Sequence, residues 1–252
     1  MPNGETLQRM YGTDYESAFE ATVGGEDPKE PERAARFLDR LPRGTFIDYG
    51  CGPGALLDLV QARGWNAAGV ELNRDVAVRT QSRTGARVGT SVDELLGESI
   101  RADVLHLGDV IEHLTDLDHQ LPDILRLLKP GGTLLVQGPL EANANLFFFA
   151  IRAARRRKRT TTPMQMAPYH VLLATASGQR TLFARQGLAE IEFSIEEVDW
   201  PAPSQLTAKN WKDPRAIGLF MLRKLSRFAS ANFSKLSGNR FFYAGTTPLH
   251  SR

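Results

Sequence analysis

Three glycines spaced two apart, Gly50, Gly52 and Gly54, lie between the short run Phe46-Ile-Asp-Tyr49 and the apolar start Ala55-Leu-Leu57. A strand that ends in such a loop and opens a helix brings main chain close to a ligand. A residue without a β-carbon takes left-handed angles freely, and helix-opening amides favour a negative group. Two carboxylates accompany the loop. Asp48 stands two residues before the first glycine. Glu71 ends the run Ala67-Ala-Gly-Val-Glu71, about twenty residues on, where a doubly wound sheet places the carboxylate that accepts from both ribose hydroxyls. These residue types predict a nucleoside cofactor. The third glycine arrives one residue earlier than in the G-x-G-x-x-G fingerprint, which argues against a nicotinamide site.

Further along, Asp109, Glu112, His113 and Asp116 recur at intervals of three or four, a spacing that would put them on one face of a helical turn. Such oxygens and nitrogens can bind a divalent ion. Capping and local hydrogen bonding account for them more simply, so no metal is expected. His170 follows Pro168-Tyr169 and precedes Val171-Leu-Leu173. An imidazole there can accept a proton near neutral pH without a large shift, or can simply fix a loop. His106 inside a predicted strand, His119 at a helix start and His250 in the tail carry no expected function.

Four segments in order and in register resemble the class I S-adenosylmethionine-dependent methyltransferases: FIDYGCGPGALL from Phe46, GVELN from Gly69, ADVLHLGDVIEHLTD from Ala102 and LLKPGGTLLVQGP from Leu127. The D-V-x-E-H-L form and the later P-Y-H segment are similar to the branch with ubiquinone-biosynthesis and sugar or natural-product enzymes. The resemblance implies S-adenosyl-L-methionine as cofactor. It places Asp48 and the backbone of Gly50, Cys51 and Gly52 at the cofactor's amino acid part, with Gly54 completing the loop. It assigns Glu71 to the ribose, and Leu72 and Asn73 to the flanks of the adenine. Ser91 and Val92 fall where the family contacts the adenine, although Gly89-Thr90 replaces the familiar G-D pair. Leu107, Gly108 and Asp109 end the fourth strand beside the cofactor, Gly108 leaving room for it. His113 resembles the family histidine beside the active site, and His170 the one near the acceptor, which makes His170 the better candidate base.

Elements that could position these residues alternate along the chain. Pro28 to Leu41 reads as a helix with Ala34, Phe37, Leu38 and Leu41 on one face, and Tyr11, Tyr15 and Phe19 suggest an aromatic segment over the mouth or a core contact. Predicted strands are 45–49, 67–71, 86–88, 103–107 and 133–137. Predicted helices are 55–63, 75–82 and 117–128, the last stopped by Pro130. This alternation demands a mostly parallel sheet with helices on both faces. After Pro139, Asn145 to Lys158 reads as an inserted basic lid helix running into Arg155-Arg-Arg-Lys-Arg159. A helix over 177–186, a strand over 190–198 with Ile191, Phe193 and Ile195 on one face, a basic amphipathic helix over 214–236 and a strand over 240–244 follow. In the resembled family the last two strands form an antiparallel hairpin beside strand five, giving seven. The expected fold is thus an α/β doubly wound seven-stranded sheet in one domain. Residues 1–42 would be cap helices, 43–140 the cofactor core and 141–252 the lid and substrate side.

At 252 residues, the chain can bury one sizeable core, and 42% apolar with 24% charged residues is an ordinary globular composition. Cys51 is the only cysteine, so no internal disulfide forms and a reducing cytoplasm is the expected setting. No run of eighteen apolar residues occurs. The net charge of +2 hides a division, because residues 145 to 252 carry 17 Lys and Arg against 6 Asp and Glu. Such asymmetry points to a negatively charged partner or to a solvated arginine face. Aromatic interleaving for base stacking is missing around RRRKR, which disfavours nucleic acid. Phe147-Phe-Phe149 and the Phe220 to Phe233 helix with their cations suit the inner membrane surface better, with core packing as the other account.

The resemblance implies methyl transfer to a small-molecule or glycan-like acceptor, at oxygen. Alternatives are a methyltransferase acting on a lipid or nucleic acid through the basic half, and a noncatalytic cofactor-binding scaffold.

Overall fold

The computed structural model describes residues 30–143, 149, 150, 153, 171–198, 206, 207, 210–232 and 238–249. Its elements run α1 (Glu30–Leu38), β1 (Thr45–Tyr49), α2 (Ala55–Gln61), β2 (Asn66–Val70), α3 (Arg74–Thr84) and β3 (Arg87–Gly89). Then come α4 (Val92–Gly97), β4 (Ala102–Gly108), α5 (Leu117–Leu125) and β5 (Leu128–Pro139). The chain continues with α6 (Ala176–Arg185), β6 (Ala189–Glu196), α7 (Pro214–Asn232) and β7 (Arg240–Thr246).

All seven strands join one sheet in the order β3-β2-β1-β4-β5-β7-β6. The first five pair in parallel, while β7 runs antiparallel to both β5 and β6, as the resemblance implied. The order reverses between β1 and β4. That switch point is where an open α/β sheet leaves a crevice at the carboxyl ends of its strands.

Side chains alternate across the central strands of the sheet, so β1, β4, β5 and β7 feed two cores. Ile47, Leu105, Leu107, Val136 and Tyr243 pack with Leu95 of α4, Leu121 of α5 and Phe183 of α6. On the other face Phe46, Val104, Leu135 and Phe242 meet Phe37 of α1, Leu57 and Val60 of α2 and Ala77 of α3. Buried on both faces, the parallel strands are almost wholly apolar, which makes their few polar residues informative.

Three expectations are corrected. The helix predicted to reach Leu128 ends at Leu125, and β5 takes the chain from Leu128 through Pro130. The Gly131 amide donates to Pro248 and the Thr247 amide to Gly132, so contacts with the chain after β7 hold this stretch extended. In β6 the register shifts between Glu190 and Glu192, a bulge that turns Ile191 outward, 53% exposed, away from the face of Phe193 and Ile195. Asp109 to Asp116 is not one helical turn: Asp109 is left-handed at φ 50, and only Ile111–His113 forms a short 3-10 turn. The aromatic segment Tyr11 to Phe19, most of the predicted lid helix and His170 lie outside the described residues, while Phe149, Ala150 and Ala153 of that helix are described and helical.

Candidate functional site

At the carboxyl end of β1 the chain turns through Gly50, Gly52 and Gly54, all left-handed at φ 80, 48 and 84. Side chains on two of them would collide within the protein. A β-carbon at Gly50 would stand 2.8 Å from Val110 Cγ2, and one at Gly54 2.7 Å from Thr80 Cγ2. A β-carbon at Gly52 would have no heavy atom within 4 Å. That glycine therefore borders open space, and its freedom from a side chain matters to what comes from outside.

The loop amides, expected to face a ligand, bond inside the protein. Gly50 and Cys51 donate to the Val70 carbonyl at 2.7 and 3.1 Å. Gly52 donates to Glu71 Oε2 at 3.1 Å, and Asn73 donates to the other oxygen, Oε1, at 2.8 Å. Glu71 thus ties the ends of β1 and β2 together with its carboxylate at the loop. Leu72, next to it, is 69% exposed, an apolar side chain held at the crevice mouth. The Asn73 side chain caps α3, accepting from Asp75 and Val76. Cys51 is buried, and burial together with the Asp48 and Glu71 charges pushes its thiol up, so it stays protonated and serves packing.

Ser91 and Val92 have structural duties. The Ser91 hydroxyl accepts from the Glu94 amide as the cap of α4, and Val92 is buried in the core. Thr90 donates by amide and hydroxyl to Glu94 Oε2, and with Arg87 alongside these bonds hold the Glu94 carboxyl down at about 2. Leu107 is wholly buried. A β-carbon on Gly108 would lie 2.7 Å from His106 Cε1, so Gly108 makes room for a neighbouring side chain of the protein itself.

That neighbour belongs to a buried polar line unforeseen in the sequence. His106 Nδ1 lies 2.7 Å from Asp48 Oδ1, and Gln137 Nε2 lies 3.0 Å from His106 Nε2. A carboxylate oxygen only accepts, so Nδ1 donates to Asp48 while Nε2 faces the Gln137 amide. All three are at most 5% exposed and run across β1, β4 and β5 directly under the switch point. The available signal was a polar residue near the carboxyl end of each of three adjacent, largely apolar strands.

Beyond β4, the Asp109 carboxylate accepts from Arg240 at 2.8 Å, across 131 residues of sequence. Glu112 is buried beside it. Burial first, then the charge of Asp109, raise the Glu112 carboxyl well above the usual carboxylate range, with Arg240 opposing. The Glu112 carbonyl accepts from the amides of Val171 and Leu172 at 2.9 and 3.1 Å. Those two residues directly follow His170 in sequence. His113 ends the 3-10 turn half-buried, whereas Asp116 turns outward to pair with the exposed His119. Asp48, Glu71 and Asp109 therefore gather at the carboxyl edge with the glycine loop, and Asp116 stands apart.

Open space where a β-carbon at Gly52 would stand, a carboxylate bonded to that loop and an exposed apolar side chain next to it in sequence fit a nucleoside with a polar tail. Comparison with known proteins agrees. Residues 28–192 match the family model described as a methyltransferase domain. The ubiquinone biosynthesis O-methyltransferase of Ralstonia nicotianae is 28% identical over 116 residues, 43% of this chain and 48% of that one. The trans-aconitate 2-methyltransferase of an Azoarcus species is 34% identical over 121 residues, 44% of this chain and 46% of that one. The chain thus spans about half the length of these curated relatives. A solved S-adenosylmethionine-dependent methyltransferase from Archaeoglobus fulgidus shares the fold, with TM-score 0.56 at 17% identity over 93% of this chain and 100% of that one.

Proposed function

This chain belongs to the class I S-adenosylmethionine-dependent methyltransferase family, and from that premise we propose that it transfers the cofactor's methyl group to an oxygen of a small-molecule or glycan-like acceptor. The observation that carries the reading is the Gly52 amide on the Glu71 carboxylate, which sets an acceptor suited to ribose hydroxyls beside the open space at Gly52. The bound cofactor supplies an activated methyl on a sulfonium. What remains for the protein is to align and to move a proton.

Glu71, which accepts from the Gly52 amide, would hold the ribose hydroxyls. Asp48 commits one oxygen to His106, and its other oxygen would hold the cofactor's ammonium. Leu72 covers one side of the adenine. Holding an acceptor oxygen in line with the methyl carbon supplies up to roughly 7–11 kcal/mol of the barrier. His170 is the base that takes the acceptor's proton, and the bonds of Val171 and Leu172 to Glu112 support this by fixing the following residues at the carboxyl edge. His113 lies on the same edge as a second proton acceptor. The O-methyltransferase among the relatives supports oxygen as the atom modified.

Calorimetric titration with S-adenosylmethionine, followed by methyl transfer to panels of metabolites and glycans, tests the reading. Absence of cofactor binding would overturn it. Binding without transfer to any acceptor would instead favour a cofactor-binding scaffold.

A further inference from the structure

The helix α7 presents the wrong face to the protein. Its inward residues are Arg223, Ser226 and Ser230, each at most 4% exposed. Arg223 reaches the equally buried Glu197 at 3.1 Å, and the Ser226 hydroxyl donates to the same carboxylate oxygen at 3.0 Å. Arg223 also donates to the Val198 carbonyl. A buried ion pair adds little net stability but is costly to break, so it pins the helix's rotation.

Ile217, Met221, Leu225 and Phe228 then point outward. Their spacing of four, four and three puts them in one stripe, and Met221, Leu225 and Phe228 are 60%, 57% and 66% exposed. Surface helices ordinarily turn such a stripe to the core. Here the ion pair holds it in solvent. Lys224 lies within the stripe and Arg227 flanks it, both exposed, and α7 contains no acidic residue.

We propose that α7 docks this outer face on an anionic lipid surface. Apolar side chains between cations on a helix without acids match a bilayer interface: the stripe enters the headgroup boundary while the ammonium and guanidinium groups meet lipid phosphates. A second copy of the chain is a poorer occupant, because two such faces would oppose cation to cation with no carboxylate from α7 between them. Among the described residues no helix is long and apolar enough to cross a membrane, so the contact lies in the interface plane. The docking requires neither cofactor nor acceptor and stands apart from the catalytic reading.

The full chain is co-sedimented with vesicles of phosphatidylcholine alone and of phosphatidylcholine mixed with phosphatidylglycerol. Partition onto the anionic vesicles that weakens with added salt is expected. Lys224→Gln should weaken it about fivefold, and Leu225→Glu with Phe228→Glu should abolish it. These side chains are exposed, so circular dichroism should show helicity unchanged. No partition by the wild-type chain would overturn the proposal. So would partition unaltered by the α7 substitutions, which would place the contact elsewhere. Sedimentation velocity gives the third contrary result, self-association lost in the variants while lipid binding persists, which would make a second copy the occupant.

Discussion

His106 Nδ1 meets Asp48 Oδ1 at 2.7 Å across paired positions of β1 and β4, directly beneath the glycine loop. The ring is backed by Gln137 on one nitrogen and stacks near Phe46, with centroids 6.1 Å apart, so it cannot swing aside. It therefore fixes where the Asp48 carboxylate points. A group held this way can orient a ligand's ammonium without reorganising when the ligand arrives.

His106→Leu should destabilise the fold by about 3 kcal/mol, because a buried carboxylate oxygen loses its donor. Urea unfolding measures this, and the same change in an Asp48→Asn background should cost much less. Cofactor affinity should fall in the single variant as Asp48 loses its orientation. Equal costs in both backgrounds would mean that the two side chains are energetically independent.

The frame of this site was legible from sequence because its parts are local. The loop glycines, Glu71 at the end of β2 and the alternation of strands depend on neighbours within a few residues. The polar line was not legible, since Asp48, His106 and Gln137 come together only when β1, β4 and β5 pair. Arg240 reaches Asp109 by the same route, through the antiparallel docking of β7 on β5. Local pattern also misled where tertiary contacts won. The Leu117 periodicity ran on past Leu125, yet pairing with β4 drew Leu128 onward into the sheet.

Gly52→Val separates folding from binding. Its φ of 48 strains a β-branched residue by about 1–2 kcal/mol, but a β-carbon there touches nothing in the protein. The variant should fold with a modestly lower Tm and lose S-adenosylmethionine affinity on the order of a hundredfold, or about 2.7 kcal/mol. Calorimetry checks this. Wild-type affinity would remove the loop from the cofactor site.

Glu112 gives the protein a pH signature. Buried beside Asp109, it keeps in the folded state a proton that the unfolded chain releases at the ordinary carboxylate value. Its contribution is therefore full below that value and is lost as pH rises through the raised, folded one, with a slope of about 1.4 kcal/mol per pH unit between them. Glu112→Gln stays neutral throughout. Thermal melts should show similar Tm values in acid and a variant that outlasts wild type as pH rises. Parallel curves would mean that Glu112 is ionised when folded.

If His170 takes the acceptor's proton, His170→Ala should lower kcat by about a hundredfold to ten-thousandfold while leaving S-adenosylmethionine affinity unchanged. A merely structural histidine would lower both together. The pH profile sharpens the distinction: wild-type turnover should fall in acid as the imidazole protonates, and the residual turnover of the variant should lose that limb. His113→Ala, made in parallel, should keep the limb. Should it vanish with His113 instead, the base is on the 3-10 turn after β4.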